Sequence, residues 1–201
     1  MNEKNYEKEL PQGYRQAFYI NAKDTKTGLV LNGVALLILI GILAIVFTTS
    51  EFSVFGVLES EPLWFSACMM IMAIGLVAYM VLHELTHGIA YKALTKQKLT
   101  FGISWSCAFC GVPNVYVYRR AAIIALMSPF ILFTLLLLPL FIWTAFINPL
   151  LYFVTGIIFG LHVGGCSGDL YMFFLLIFKF KDRELLMRDT GPEQFLYVKE
   201  A

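Results

Sequence analysis

Two histidines and a glutamate stand at a spacing that could hold and use a metal ion. His83, Glu84 and His87 form the pattern HExxH within VLHELTHGIAY. Residues four apart share one face of a helix, so both imidazoles could bind one Zn²⁺. Zinc lowers the pKa of a bound water to ~7, and a neighbouring carboxylate can take its proton as the oxygen attacks a carbonyl. The motif therefore predicts metal-dependent hydrolysis, with Glu84 as the general base.

An alternative for these histidines is that they are ordinary helix residues, because HExxH also occurs by chance. The chain has three histidines in all, and His83 and His87 are two of them. Both stand in an apolar segment, where ionisable groups are costly and usually functional. The composition around the motif therefore favours a metal site.

A third ligand is expected, because catalytic zinc usually has three protein ligands and one open position. Asp169 and His162 are the candidates in LHVGGCSGDLYMFF. Asp169 stands ten residues before Lys179, and His83 stands nine before Lys92. At ~1.5 Å per residue, both would lie ~13–15 Å from the ends of their helices. We therefore predict that Asp169 completes the site.

Two alternatives remain for the fourth apolar segment. His162, seven residues before Asp169, would lie ~10 Å from the predicted layer on a continuous helix. The glycines of residues 160–168 make that continuity doubtful, so His162 stays an alternative or supporting ligand. Asp169 could also serve as the N-cap of a helix that restarts after Gly168.

The composition indicates a membrane protein rather than a soluble one. Hydrophobic residues make up 59% of the 201 residues and charged residues 14%, and the mean hydropathy is +0.72. A membrane-spanning helix needs ~20 apolar residues. From such a composition we expect no nucleic-acid partner. Four segments meet the length requirement, with a turn at Asn148-Pro149 between the last two: 28–47, 63–91, 121–147 and 150–178.

The basic residues predict the orientation, because lysine and arginine accumulate on the cytoplasmic side. The opposite side carries Glu51, Glu59 and Glu61. We therefore predict a multi-pass protein of the cell membrane, with a cytoplasmic segment 1–27, a transmembrane core 28–178 and a cytoplasmic, partly mobile tail 179–201. The basic residues at the span ends all fall on one predicted side: Arg15, Lys23, Lys26, Lys92, Lys96, Lys98, Arg119, Arg120, Lys179, Lys181 and Arg183.

The predicted fold class is an all-α membrane protein of four transmembrane helices, with a membrane-associated β-hairpin between helices 2 and 3. The stretches LTFGISWS and NVYVY flank a Gly-Pro turn and have strand composition. The hairpin could dip into the bilayer where protein covers its backbone, or rest at the interface with Trp105 and Tyr116 as headgroup anchors. The pair Cys107 and Cys110 is interpreted as structural, since no second pair completes a four-ligand site.

These features together resemble the site-2 protease type of intramembrane zinc metalloprotease. HExxH late in one span, a β-rich loop, Ser128-Pro129 and Gly168-Asp169 carry the resemblance, which covers about residues 63–178. The compact layout is similar to the bacterial family named Putative zincin peptidase. The resemblance implies Zn²⁺ held by His83, His87 and Asp169, with Glu84 as the catalytic residue. It also implies a membrane-embedded or membrane-anchored protein substrate within the lipid bilayer.

Two other functions fit parts of the sequence. Gly165-Cys166-Ser167-Gly168 matches the GxSG pattern of rhomboid serine proteases, but those have a six-helix core, and this interpretation leaves Glu84 unexplained. A small metal-binding membrane transporter, or a scaffold without hydrolytic activity, would also use intramembrane histidine and aspartate. A transporter or scaffold needs the ligands but no base beside the metal, so Glu84 favours hydrolysis over transport.

Overall fold

The computed structural model describes residues 4–103 and 108–200. Its helices are α1 (Thr25–Thr49), α2 (Val54–Ser60), α3 (Pro62–Thr95), α4 (Arg119–Thr144), α5 (Pro149–Gly165) and α6 (Ser167–Phe174), followed by a π-helical turn at Leu175–Lys179. Four helical stretches are long and apolar enough to cross a membrane: Thr25–Thr49, Pro62–Thr95, Arg119–Thr144 and Pro149–Lys179. The prediction of four apolar helices is confirmed.

Local sequence explains how the fourth helical stretch begins and where it is interrupted. Asn148 is the N-cap of α5, and its side chain accepts hydrogen bonds from the backbone N–H groups of Leu150 and Leu151. Proline follows at the first helical position, where it has no hydrogen bond to lose. Cys166 ends α5, and α6 starts at the next residue. The predicted turn is confirmed, and the glycine-rich break is confined to one residue.

A five-stranded antiparallel sheet corrects the all-α prediction. It combines strands from the N-terminal segment, the connection between α3 and α4, and the C-terminal tail: β1 (Tyr6–Glu7), β2 (Tyr14–Asn21), β5 (Tyr116–Tyr118), β6 (Leu185–Asp189) and β7 (Glu193–Lys199). Their order in the sheet is β1-β5-β6-β7-β2. The tail, expected to be partly mobile, instead forms β6 and β7. Three consecutive apolar residues are buried on β6, and alternate residues, Leu196 and Val198, are buried on β7.

A separate two-stranded hairpin joins β3 (Thr100–Ile103) to β4 (Ala108–Gly111), with Phe101 opposite Cys110. The hairpin predicted between the second and third apolar helices, which are α3 and α4, therefore exists. Its second strand differs from the prediction. Tyr116–Tyr118 pairs with β1 and β6 instead. The buried stretch that follows Gly111 carries the chain into the larger sheet, so NVYVY is no longer adjacent to β3. Trp105 and Cys107 lie outside the described residues.

Two compact units divide the chain. The first comprises Met1–Val30, Leu82–Pro129 and Gly168–Ala201 and contains both sheets. The second comprises Leu31–Val81 and Phe130–Ser167 and is helical. The first unit has a core in which helix and strand side chains pack together; it includes Tyr91, Val117, Leu126, Met172, Leu176, Met187 and Leu196.

Candidate metal centre

Helix α3 brings the two motif histidines onto one face. The ring centroids of His83 and His87 are 5.0 Å apart, with an interplanar angle of 76°. Their exposed fractions are 7% and 6%. Glu84 is partly buried on the same turn. The predicted i, i+4 arrangement is therefore present in the structure, next to the carboxylate that could act as a base.

Asp169 meets both histidines from the first turn of α6. Its Oδ2 lies 3.5 Å from His83 Nε2 and 3.4 Å from His87 Nε2. Helix α6 begins at Ser167, so Asp169 lies inside the helix and not at its N-cap. One carboxylate oxygen and two imidazole nitrogens therefore converge within the first unit.

A hydrogen bond fixes the orientation of the His87 ring. Its Nδ1 lies 2.9 Å from the carbonyl oxygen of Ala125 on α4, so the Nδ1–H donates to that carbonyl. The Nε2 atom, which faces Asp169, is then the nitrogen with a free lone pair. Metal-binding histidines are commonly oriented in this way by a carbonyl behind the ring. Ala125 is fully buried, and its small side chain suits this close approach of α4.

The donor set fits a zinc ion. Nitrogen and carboxylate oxygen are both zinc ligands, with bonds of ~2.0–2.2 Å, so neighbouring ligands on a tetrahedron lie ~3.4 Å apart. The two measured distances to Asp169 are 3.5 and 3.4 Å. The ligand atoms of His83, His87 and Asp169 all lie within 4.8 Å of one another. Three ligands would leave the fourth position open for water or substrate.

The β3–β4 hairpin packs beside the motif. A Cβ built on Gly88 would lie 2.6 Å from the ring of Phe101, so β3 contacts α3 directly after His87. On β4, burial together with the negative charges of Glu84 and Asp189 raises the pKa of Cys110 to about 12. Without a bound metal, this thiol stays protonated at neutral pH.

His162 belongs to the second unit, where hydroxyl groups flank its ring. Its Nδ1 lies 2.8 Å from the Tyr79 hydroxyl and its Nε2 lies 2.9 Å from Thr134 Oγ1. The ring is fully buried and stacks on Phe130. As a zinc ligand, His162 would have to exchange one of these hydrogen bonds for the metal.

Sequence reasoning missed one buried polar pair in the first unit. Tyr91 donates its hydroxyl to Asp189 Oδ2 at 2.7 Å. Burial raises the pKa of Asp189 to about 6, although the Tyr91 hydrogen bond opposes the shift. The position of Tyr91, one helical turn after His87 and on the same face, was a usable signal. Nothing local in the sequence connects Asp189 with α3.

The fold and the site together define a helical, apolar protein with a zinc-type donor set beside a glutamate. Residues 76–183 match the model of the family named Putative zincin peptidase. Because the match spans more than half of the chain, the chain belongs to this family. The family supports zinc-dependent peptidase activity, and the matched range contains His83, Glu84, His87 and Asp169. Among curated proteins and among solved structures, no match was found.

Proposed function

We propose that this protein is an intramembrane zinc metalloprotease of the site-2 protease type, which cleaves membrane-embedded or membrane-anchored proteins. The observation that carries the proposal is the approach of Asp169 Oδ2 to the Nε2 atoms of His83 and His87. The ligand-bearing residues lie on helices long and apolar enough to cross a membrane. Membership of a zincin peptidase family supports the peptidase class.

Each residue of the proposed site has a separate task. His83, His87 and Asp169 would hold the zinc ion, and the Ala125 carbonyl keeps the His87 ring turned toward it. Bound zinc supplies a Lewis acid that polarises the peptide carbonyl and acidifies water. Glu84 accepts the proton of the attacking water on its carboxylate and then delivers it to the departing amine nitrogen. The peptide C–N bond is thereby exchanged for a carboxyl group and a free amine.

The outer strand of the hairpin is the proposed contact for the substrate backbone. β3 pairs with β4 on one side, and among the described residues no strand pairs with its other side. Phe101 and Ile103 are exposed on β3, with exposed fractions of 51% and 72%. An extended substrate segment could pair with this edge through main-chain hydrogen bonds. Because Phe101 also contacts α3 at Gly88, the paired segment would pass close to Glu84.

The larger sheet supports a common side for both termini. Strands from the N-terminal segment, the α3–α4 connection and the C-terminal tail pair within it. If the four apolar helices span the bilayer, these segments must share one side. The lysines and arginines at the span ends support the cytoplasm as that side, as part of the proposal. The substrate edge would then lie at the cytoplasmic end of α3.

The rival functions have weaker support. The Ser167 hydroxyl donates a hydrogen bond to the carbonyl oxygen of Leu31 at 3.4 Å. A backbone carbonyl is not a general base, so this contact does not activate the serine as a nucleophile. A transporter or scaffold would use the metal ligands but give Glu84 no task. Glu84 therefore favours hydrolysis over transport or a scaffold role.

The metal part of the proposal is tested by elemental analysis of purified protein. We expect one zinc per chain in the wild type and in Glu84→Gln, because the glutamine keeps the shape of the site without supplying a ligand. His83→Ala and His87→Ala should lose the metal. A wild type free of zinc, or zinc retained when both histidines are replaced, contradicts the proposal.

The catalytic part is tested by mapping new protein termini in membranes of cells that express each variant. Wild type should generate termini within or beside apolar segments, and Glu84→Gln should generate none, because the amide cannot accept the water's proton. Ser167→Ala is the matched control and should behave like the wild type. Loss of cleavage in Ser167→Ala with retention in Glu84→Gln would favour a serine protease.

A further inference from the structure

A buried hydrogen bond connects the ligand-bearing helix to the C-terminal tail. Tyr91 lies one turn beyond His87 on α3, and its hydroxyl donates to Asp189 Oδ2 at 2.7 Å. The exposed fractions of Tyr91 and Asp189 are 1% and 2%. A carboxylate that is removed from water needs such partners, since an unpaired buried charge is strongly unfavourable. The face of α3 that carries the histidines is therefore tied to the end of β6.

Asp189 makes further hydrogen bonds that reach the turn after β6 and the end of β4. Its Oδ1 accepts the backbone N–H of Gly191 at 2.8 Å, and its Oδ2 accepts Gln194 Nε2 at 3.2 Å. Its backbone carbonyl accepts the N–H of Val112, the residue that follows β4, at 2.8 Å. One residue thus joins α3, the β6–β7 turn and the end of β4.

Two glycines allow the hairpin to lie directly against this turn. A Cβ on Gly111 would stand 2.2 Å from the backbone nitrogen of Gly191, a distance that no side chain can occupy. Gly191 has a φ of 104°, which favours glycine. The backbone at the end of β4 therefore contacts the backbone of the β6–β7 turn. Asp189 holds that turn through its hydrogen bond to Gly191.

We propose that Asp189 is a positioning residue, which holds the β3–β4 hairpin and its substrate-pairing edge at a fixed place beside Glu84. The part of this role that concerns substrate pairing rests on the proposed function. The charges of both Glu84 and Asp189 act on Cys110, so β4 lies within electrostatic reach of the two carboxylates. Asp189 lies beyond residues 76–183, the part that matches the family model. The C-terminal tail of this chain thus contributes to the geometry of the site.

Loss of a positioning residue and loss of a generally stabilising residue change different measurable properties. Loss of Asp189 or of the Tyr91 hydroxyl should loosen the hairpin while His83, His87 and Asp169 keep their own contacts. Zinc content should then be unchanged. Substrate pairing should weaken, so KM should rise more than kcat falls. A change that merely destabilises the fold would affect metal content, kcat and KM together.

The test uses Asp189→Ala and the conservative Tyr91→Phe in the full-length protein, reconstituted in lipid nanodiscs. Tyr19→Phe is the matched control, because Tyr19 also donates to a carboxylate, Glu193, at 2.7 Å, but on the exposed side of the larger sheet. Hydrogen exchange of residues 108–112 and zinc content are measured for each variant. KM and kcat are measured with a peptide that spans a cleavage site found by the terminus mapping.

We expect exchange at Val112 to rise about tenfold in Tyr91→Phe, as for the loss of one buried hydrogen bond, with zinc retained and a raised KM. Tyr19→Phe should match the wild type. Unchanged exchange at Val112 in both test variants, or zinc lost in Tyr91→Phe, overturns the positioning role. Hydrogen exchange and zinc content are measured without substrate, so they test the hairpin position independently of activity. If the wild type is inactive but exchange at Val112 rises in the variants, the peptidase proposal is wrong and the positioning of the hairpin by Asp189 is supported.

Discussion

Single polar side chains in the apolar helices are oriented by specific partners. His87 donates to the Ala125 carbonyl, and the His162 ring lies between two hydroxyl groups. Such contacts matter at depth, because a buried polar group without a partner costs ~1–3 kcal/mol. The two histidines differ in whether a ring nitrogen remains available to bind a metal. His87 keeps Nε2 for Asp169, whereas both nitrogens of His162 are within hydrogen-bond distance of hydroxyls.

This difference predicts separate effects for the two candidate third ligands. Asp169→Asn should lower zinc content sharply, because the neutral amide is a much weaker ligand than a carboxylate. His162→Gln should retain one zinc per chain and lose ~1–3 kcal/mol of stability, because a buried hydroxyl loses its partner. Zinc analysis with thermal unfolding in detergent measures both. Retention of zinc in Asp169→Asn together with its loss in His162→Gln would assign the third ligand to His162.

The raised pKa of Asp189 predicts a pH dependence of stability. Its pKa is raised from 3.8 to about 6 by burial, so the folded state holds this proton more tightly than the unfolded state. The associated stability is complete below pH 3.8 and is lost as the pH rises through about 6, by up to ~3 kcal/mol. We expect the difference in unfolding temperature between wild type and Asp189→Asn to follow this window. A difference that is constant from pH 4 to pH 7 would contradict the shift.

At the scale of the elements, small residues and one arginine determine how closely helices and loops pack against their neighbours. On α5, Gly156, Gly160 and Gly164 recur every four residues, as in closely packed membrane helices. In the first unit, the Arg119 guanidinium at the start of α4 donates to the carbonyl oxygens of Phe180, Lys181 and Arg183. The sequence marked Arg119 only as a topology signal. In the structure it also binds carbonyls of the segment that directly follows the fourth helical stretch, which ends at Lys179.

The glycine positions on α5 predict a sharp contrast between neighbours. A Cβ on Gly164 would lie 2.8 Å from the Ala35 Cα on α1, whereas a Cβ on Gly165 meets nothing within 4 Å. Gly164→Ala should therefore destabilise the second unit by ~1–3 kcal/mol through overpacking. Gly165→Ala should be neutral or slightly stabilising, because alanine favours helix more than glycine. Thermal unfolding of both variants is the measurement, and equal effects would contradict the α1–α5 contact.

At the scale of the whole molecule, the charge distribution and the larger sheet favour the same topology. The sheet joins the N-terminal segment, the α3–α4 connection and the C-terminal tail. The connection between α1 and α3 carries Glu51, Glu59 and Glu61 but no lysine or arginine, and it contributes no strand among those described. Two independent features, charge and strand pairing, therefore divide the connections in the same way.

This topology predicts opposite labelling of two exposed positions. In a background without native cysteines, Ser60→Cys should react with a membrane-impermeant thiol reagent added outside intact cells. Asp182→Cys should react only after permeabilisation, because lysines and arginines accumulate on the cytoplasmic side. The reverse pattern would invert the topology, and reaction of both positions in intact cells would argue against the four spans.

The sequence by itself determined the features that depend on neighbouring residues. The i, i+4 spacing of His83 and His87 follows from helical periodicity. The four spans follow from apolar length, and the turn at Asn148 follows from a capping side chain before proline. The layer that contains His83 and Asp169 could be anticipated, because both helices rise by the same distance per residue.

Only the tertiary structure decided the features that depend on distant residues. Tyr91 and Asp189 are 98 residues apart, and their strand and helix give no local sign of each other. The pairing of β5 with β1 and β6, rather than with β3, was also hidden, because β1 and β5 have only two and three residues. Strands this short are specified by the partners and the burial they find in the fold. The sheet beside the site, unlike the metal motif, therefore required the three-dimensional structure.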